Sequence, residues 1–63
     1  MKWNELTRIL SKNGWRYLRD AKGSHELWHN PKKPGITLII AKHPSKEVGT
    51  GLANKILKQA GLK

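Results

Sequence analysis

The side chains of this chain that could carry a reaction are three histidines, four carboxylates and a set of hydroxyls; cysteine is absent. Without cysteine there is no thiol nucleophile, no thiolate zinc site and no disulfide. His25 and His29 are four residues apart. Along a strand that is about 13 Å, too wide for one ion with ligand bonds near ~2 Å, so no metal site is expected. Ser11, Ser24 and Ser45 show no legible histidine–carboxylate relay beside them. Glu5, Asp20, Glu26 and Glu47 are scattered, and a magnesium-dependent nuclease needs its carboxylates clustered. Histidine is left as the acid–base group, with an imidazole that titrates near about pH 6.5 when unperturbed.

An imidazole on a basic surface suits RNA, which brings its own nucleophile, the 2′-hydroxyl. A protein that sets this oxygen in line with the phosphorus needs only proton transfer at the attacking or leaving oxygen and cations to stabilise the charged transition state. No cofactor is required. These demands meet at Gly23-Ser24-His25. Gly23 allows a phosphate to approach the backbone, Ser24 offers a hydroxyl and an N–H, and Lys22 lies just before. On these residues alone, a plain turn followed by a surface histidine is the competing reading.

The elements that must position this turn follow from periodicity. Trp3, Leu6, Ile9 and Leu10 recur at helical spacing, and Gly14 supplies a stop, so a helix is expected over about 3–13. Short strands are expected over 15–19, 24–29 and 36–40, separated by the turn 20–23 and by the loop Asn30-Pro31-Lys32-Lys33-Pro34-Gly35. The stretch 43–49 reads as irregular. Thr50 is a plausible N-cap for a second helix whose stripe is Leu52, Ala53, Ile56, Leu57 and Ala60, all expected in the core. The predicted fold is α+β, α-β-β-β-α, with a three-stranded antiparallel sheet burying one face under both helices in one domain, 1–63.

Composition narrows the partners. The chain has 63 residues, with 13 Lys and Arg against 4 Asp and Glu, a net charge of +9. The basic residues are spread along the chain, as on a folded basic face and unlike a disordered tail. Nucleic acid is the first candidate partner, an acidic protein a compatible one. The longest apolar run, Leu38-Ile39-Ile40-Ala41, is far short of the roughly 20 residues of a membrane span. No apolar signal region follows Met1. A cytoplasmic protein without a membrane role is expected.

With these residues assembled, the whole chain resembles the HicA family of toxin mRNA interferases. The likeness runs through Asn13-Gly14-Trp15, Lys22-Gly23-Ser24-His25, His43-Pro44-Ser45-Lys46-Glu47-Val48 and Ile56-Leu57-Lys58-Gln59-Ala60-Gly61-Leu62. The resemblance implies a fold like the double-stranded-RNA-binding domain. It also implies a metal-independent endoribonuclease acting on mRNA, and a HicB-type antitoxin that covers its active site. The essential histidine it implies is His25. Two residues depart from the family pattern: Glu26 where a second histidine is frequent, and Pro44 where glycine is frequent. Glu26 is expected to add negative charge beside the phosphate site.

Around His25, the expected RNA contacts are Lys22, Gly23, Ser24, Lys42 and Lys46. If the second hairpin centres between Lys32 and Lys33, His25 faces Ile40 and Lys22 faces His43; a slip of one residue reverses every face. His43 is read as a loop residue beside Pro44, with a second catalytic role as the lesser alternative, and His29 as a surface strand residue. Trp3, Trp15 and Trp28 are candidates for stacking on bases; Trp3 and Trp15 are assigned to the core, while Trp28 divides evenly between core and base stacking. The competing function is a non-catalytic RNA-binding module of the same fold. It is disfavoured because Thr50-Gly51-Leu52-Ala53-Asn54 lacks the lysine cluster with which such domains hold phosphates.

Overall fold

The computed structural model describes residues 1–63. The apolar spacing at the N-terminus produces helix α1, Trp3–Lys12, with Trp3, Leu6 and Leu10 on its buried face. A helix start leaves its first N–H groups without partners inside the helix. Here the 43–48 segment supplies them: Trp3 N–H donates to the Lys46 carbonyl and Asn4 N–H to the Pro44 carbonyl, both at 3.0 Å. The segment read as irregular is thus stitched to the start of α1. At the other end Gly14 turns the chain at φ +92°, and Trp15, the next residue, is fully buried.

Three strands follow, β1 (Arg16–Asp20), β2 (His25–His29) and β3 (Thr37–Ala41), and then helix α2 (Thr50–Gln59). The sheet is antiparallel in the order β1-β2-β3. This is the expected α-β-β-β-α architecture, consistent with a double-stranded-RNA-binding-domain-like fold. Each strand starts one residue later than expected, because Trp15, Ser24 and Ile36 complete the preceding turns. Gly49 takes the N-cap position of α2, and Thr50 is its first helical residue.

The register corrects one expectation. His25 pairs with Ala41, Leu27 with Ile39 and His29 with Thr37, so the hairpin centres on Lys33 rather than between Lys32 and Lys33. The alternate residues Glu26 and Trp28 pair with Ile40 and Leu38. Paired residues share a face, and Leu38 and Ile40 are buried. The shift therefore turns His25 away from the core, onto the face of Ile39 and Ala41. The earlier pairing would have set it beside buried Ile40. His43 lies past the end of β3 and is exposed.

The core joins Trp3, Leu6 and Leu10 of α1, Trp15, Leu38 and Ile40 of β3, Val48, and Ala53, Ile56 and Leu57 of α2, with Ala60 just after it. Trp28 packs against it half-buried. Both helices bury their stripes as expected, with two corrections. Leu52 stays 46% exposed, and β1 contributes nothing, since all five of its residues are exposed.

Candidate functional site

The β1–β2 hairpin presents His25. Ala21 N–H donates to the His25 carbonyl at 2.9 Å and closes the hairpin. On the other flank Lys42 N–H donates to the Ser24 carbonyl at 2.7 Å. Gly23 adopts φ +69° with open space where a Cβ would stand. The backbone N–H groups of Lys22, Gly23 and Ser24 donate to no acceptor in the chain. Successive free amides at such a turn form a concavity that suits an anion.

The His25 ring is exposed, with Nδ1 3.4 Å from the Lys22 carbonyl. A carbonyl can only accept, so this long contact favours the tautomer with the proton on Nδ1. Nε2 is then left as a proton acceptor. The ring also stands at the rim of a groove of 320 Å³ between β3 and α2, where Ile39, Leu52 and Lys55 line the walls.

The expected phosphate contacts separate into two groups. Lys22, Gly23 and Ser24 belong to the turn itself. Lys46 is exposed and its ammonium has no partner, but it sits on the segment that holds the start of α1. Lys42 is engaged: its ammonium lies 2.8 Å from Asp20 Oδ1, which also accepts from the Tyr17 hydroxyl at 2.9 Å. The hydrogen bond from Lys42, followed by that from Tyr17, holds the Asp20 carboxyl below its ordinary value. The same bonds to Asp20 raise Lys42 and Tyr17 above theirs. Lys42 is thus paired with Asp20, and a phosphate that reaches it must compete with that carboxylate.

Glu26 lies on the other side of the sheet from His25. Successive strand residues point to opposite faces, so its carboxylate leaves the side of His25. Trp28 Nε1 donates to it at 2.8 Å. It lines a separate hollow with Trp28, Lys42 and residues of α1. Its negative charge is thus felt on the Lys42 side of the sheet, where it helps to raise that lysine, and points away from the His25 face. The same bond answers for Trp28, whose indole nitrogen is occupied. No group of three His, Asp or Glu side chains converges, and no helix is long and apolar enough to cross a membrane.

Sequence reasoning passed over Lys55 and Leu52. Both sit in an apparently ordinary amphipathic stripe, and only the packing of α2 on β3 opens a groove there. The Asp20–Lys42 bond was equally illegible, because it joins β1 to the end of β3 across the sheet.

Order, topology and site define a class: a small basic α-β-β-β-α domain with an exposed histidine at an open hairpin turn. The family model described as the HicA toxin of bacterial toxin–antitoxin systems matches residues 3–62. A probable mRNA interferase HicA from Pseudomonas fluorescens (strain Pf0-1) is 36% identical over 63 residues, covering 100% of this chain and 98% of that protein. The chain belongs to the HicA toxin family.

Proposed function

We propose that the protein is the toxin of a toxin–antitoxin pair and acts as a metal-independent endoribonuclease on mRNA, with His25 in the proton transfer. The observation that carries this is the exposed His25 ring beside the open Gly23 turn, in a chain of this family. The family relative named a probable mRNA interferase supports the reaction class.

In the proposed reaction a phosphate seats against the free amides of residues 22–24 with Lys22 beside it. His25 Nε2 accepts the proton of the 2′-hydroxyl. The 2′-oxygen bonds to phosphorus, the bond to the 5′-oxygen breaks, and that oxygen takes a proton from solvent. The products are a 2′,3′-cyclic phosphate and a 5′-hydroxyl. Ser24 adds a hydroxyl at the same turn, and Lys46 is a second phosphate contact. Lys42 joins only if a phosphate displaces Asp20. The proposed protein partner is a HicB-type antitoxin that covers this basic surface, and the proposed compartment is the cytoplasm, where mRNA is met.

The test incubates wild type and His25→Ala with a defined mRNA in EDTA and reads the product ends. His25 contributes nothing to the core, so the variant is expected to keep its fold and lose cleavage by at least about a hundredfold, the scale of general acid–base catalysis. A folded His25→Ala protein that cuts at full rate refutes the assignment. RNA bound but left intact by both proteins points to the non-catalytic module.

A further inference from the structure

We infer that the groove between β3 and α2 is a binding subsite for an unpaired nucleobase of the RNA, next to the phosphate that His25 acts on. The inference deepens the proposed function and rests on it for the presence of RNA.

Four observations carry it. First, the groove begins at His25, which lines it together with Ile39, Leu52 and Lys55. A nucleotide whose phosphate lies at the 22–24 turn has this hollow within reach of its base. Second, the walls are apolar where a base needs faces to lie between. Ile39 is 60% and Leu52 46% exposed, two large aliphatic side chains left uncovered on a small basic protein. Pockets that take a base out of a stack hold it between apolar or aromatic side chains and read its edge with hydrogen bonds. Third, the edge-reading groups are present: Thr37 and Gln59 line the same groove. Leu52, Lys55 and Gln59 follow one another at three- and four-residue steps along α2, which puts them on one stripe.

The fourth observation is charge. The chain carries +9, and the Lys55 ammonium in the groove has no carboxylate partner, since the ion pairs of the chain involve only the N-terminus with Glu47 and Lys42 with Asp20. An apolar hollow with a free cation at its wall fits a base with its attached phosphate better than an aliphatic peptide segment. Sequence-specific RNA recognition in general acts on splayed, unpaired bases.

The test measures binding to 2′-O-methyl hexamers, which lack the free 2′-hydroxyl and cannot be cut by the proposed reaction. Anisotropy compares A6, C6, G6 and U6 with an abasic hexamer of the same backbone, for wild type, Leu52→Ser, Ile39→Thr and Lys55→Ala. The two wall residues are largely exposed and their replacement leaves the core intact; circular dichroism checks this for each variant. Leu52→Ser and Ile39→Thr are expected to weaken at least one base-bearing hexamer by about fivefold, the scale of losing roughly 40 Å² of apolar contact, and to leave the abasic hexamer unchanged. Lys55→Ala is expected to weaken both kinds.

Equal affinity of wild type and both wall variants for every hexamer overturns the inference. So does a concentration-dependent dimer that Leu52→Ser abolishes, because a second copy then fills the groove. If the wall variants show the base-dependent loss but wild type does not cleave mRNA, the subsite stands and the endoribonuclease reading falls. If mRNA is cleaved and the wall variants bind like wild type, the endoribonuclease stands and the subsite falls.

Discussion

At the scale of single residues, Asp20 decides whether Lys42 is open to a phosphate. Its carboxylate takes the Lys42 ammonium at 2.8 Å and the Tyr17 hydroxyl at 2.9 Å. A phosphate reaching Lys42 must compete with it. Asp20→Asn removes the competitor. If Lys42 then meets a phosphate, the slope of log affinity for single-stranded RNA against log salt should steepen by about 0.7, the increment per phosphate. The check is a salt titration of a non-cleavable hexamer with both proteins. The same cluster sets a pH dependence whose sign can be worked out. The Asp20 carboxyl is lowered, so its stabilisation is present above the ordinary Asp value and fades as pH falls through the lowered one. Lys42 is raised, so its stabilisation is present below the ordinary Lys value and fades as pH rises through the raised one. The stability difference between wild type and Asp20→Asn should therefore be flat between about pH 5 and 9 and shrink on both sides. Urea midpoints across pH would show it; because the pair is open to solvent, the difference itself is expected to be small.

At the scale of elements, the site depends on how firmly the hairpins are tied to α1, and Asn30 is a buried tie. It is 4% exposed; its Nδ2 donates to the Asn13 carbonyl at 3.1 Å, and its Oδ1 accepts from Lys32 N–H at 2.9 Å. It also fills the space beside Gly14, where an added Cβ would stand 3.1 Å from Asn30 Nδ2. Asn30→Ala strands two backbone groups and should cost about 1–3 kcal/mol. In a domain of this size Tm should fall by roughly 4–8 °C per kcal/mol, read by thermal circular dichroism, while the proposed cleavage is expected to be unchanged below the new Tm. Asn30 reads in the sequence only as one turn former among several. Local signals did reveal the helices, the strands and the Gly23 turn, because apolar period, glycine and β-branched runs act within a few residues. The family likeness, rather than any spacing, singled out His25. What stayed hidden depends on distant pairing. A register moved by one residue reverses the face of His25, and Leu52 looks like core until α2 is seen to overhang β3. Lys42 looks free until Asp20 arrives across the sheet.

At the scale of the whole molecule, a net charge of +9 on 63 residues poses a choice between a diffuse polyanion trap and a localised site. The proposed site is the localised alternative. Lys42 is already paired, and the unpaired lysines assigned to that site are Lys22 at the turn, Lys55 in the groove and Lys46 on the segment after β3. Three phosphate contacts predict a slope near −2 for single-stranded RNA, at about −0.7 each. A strand wrapped over the full basic surface would give a slope several times steeper. Non-cleavable hexamers and 20-mers, titrated over the same salt range, separate the two. If the site is localised, both lengths should give the same slope, and Lys22→Ala should make it shallower by about 0.7 for both. Arg8→Ala, a change to an exposed cation of α1 outside the site, should leave it unchanged. A 20-mer slope that grows with length and responds equally to Arg8→Ala and Lys22→Ala would mean that the charge acts as a whole. His25 would then be one exposed side chain among many that RNA touches.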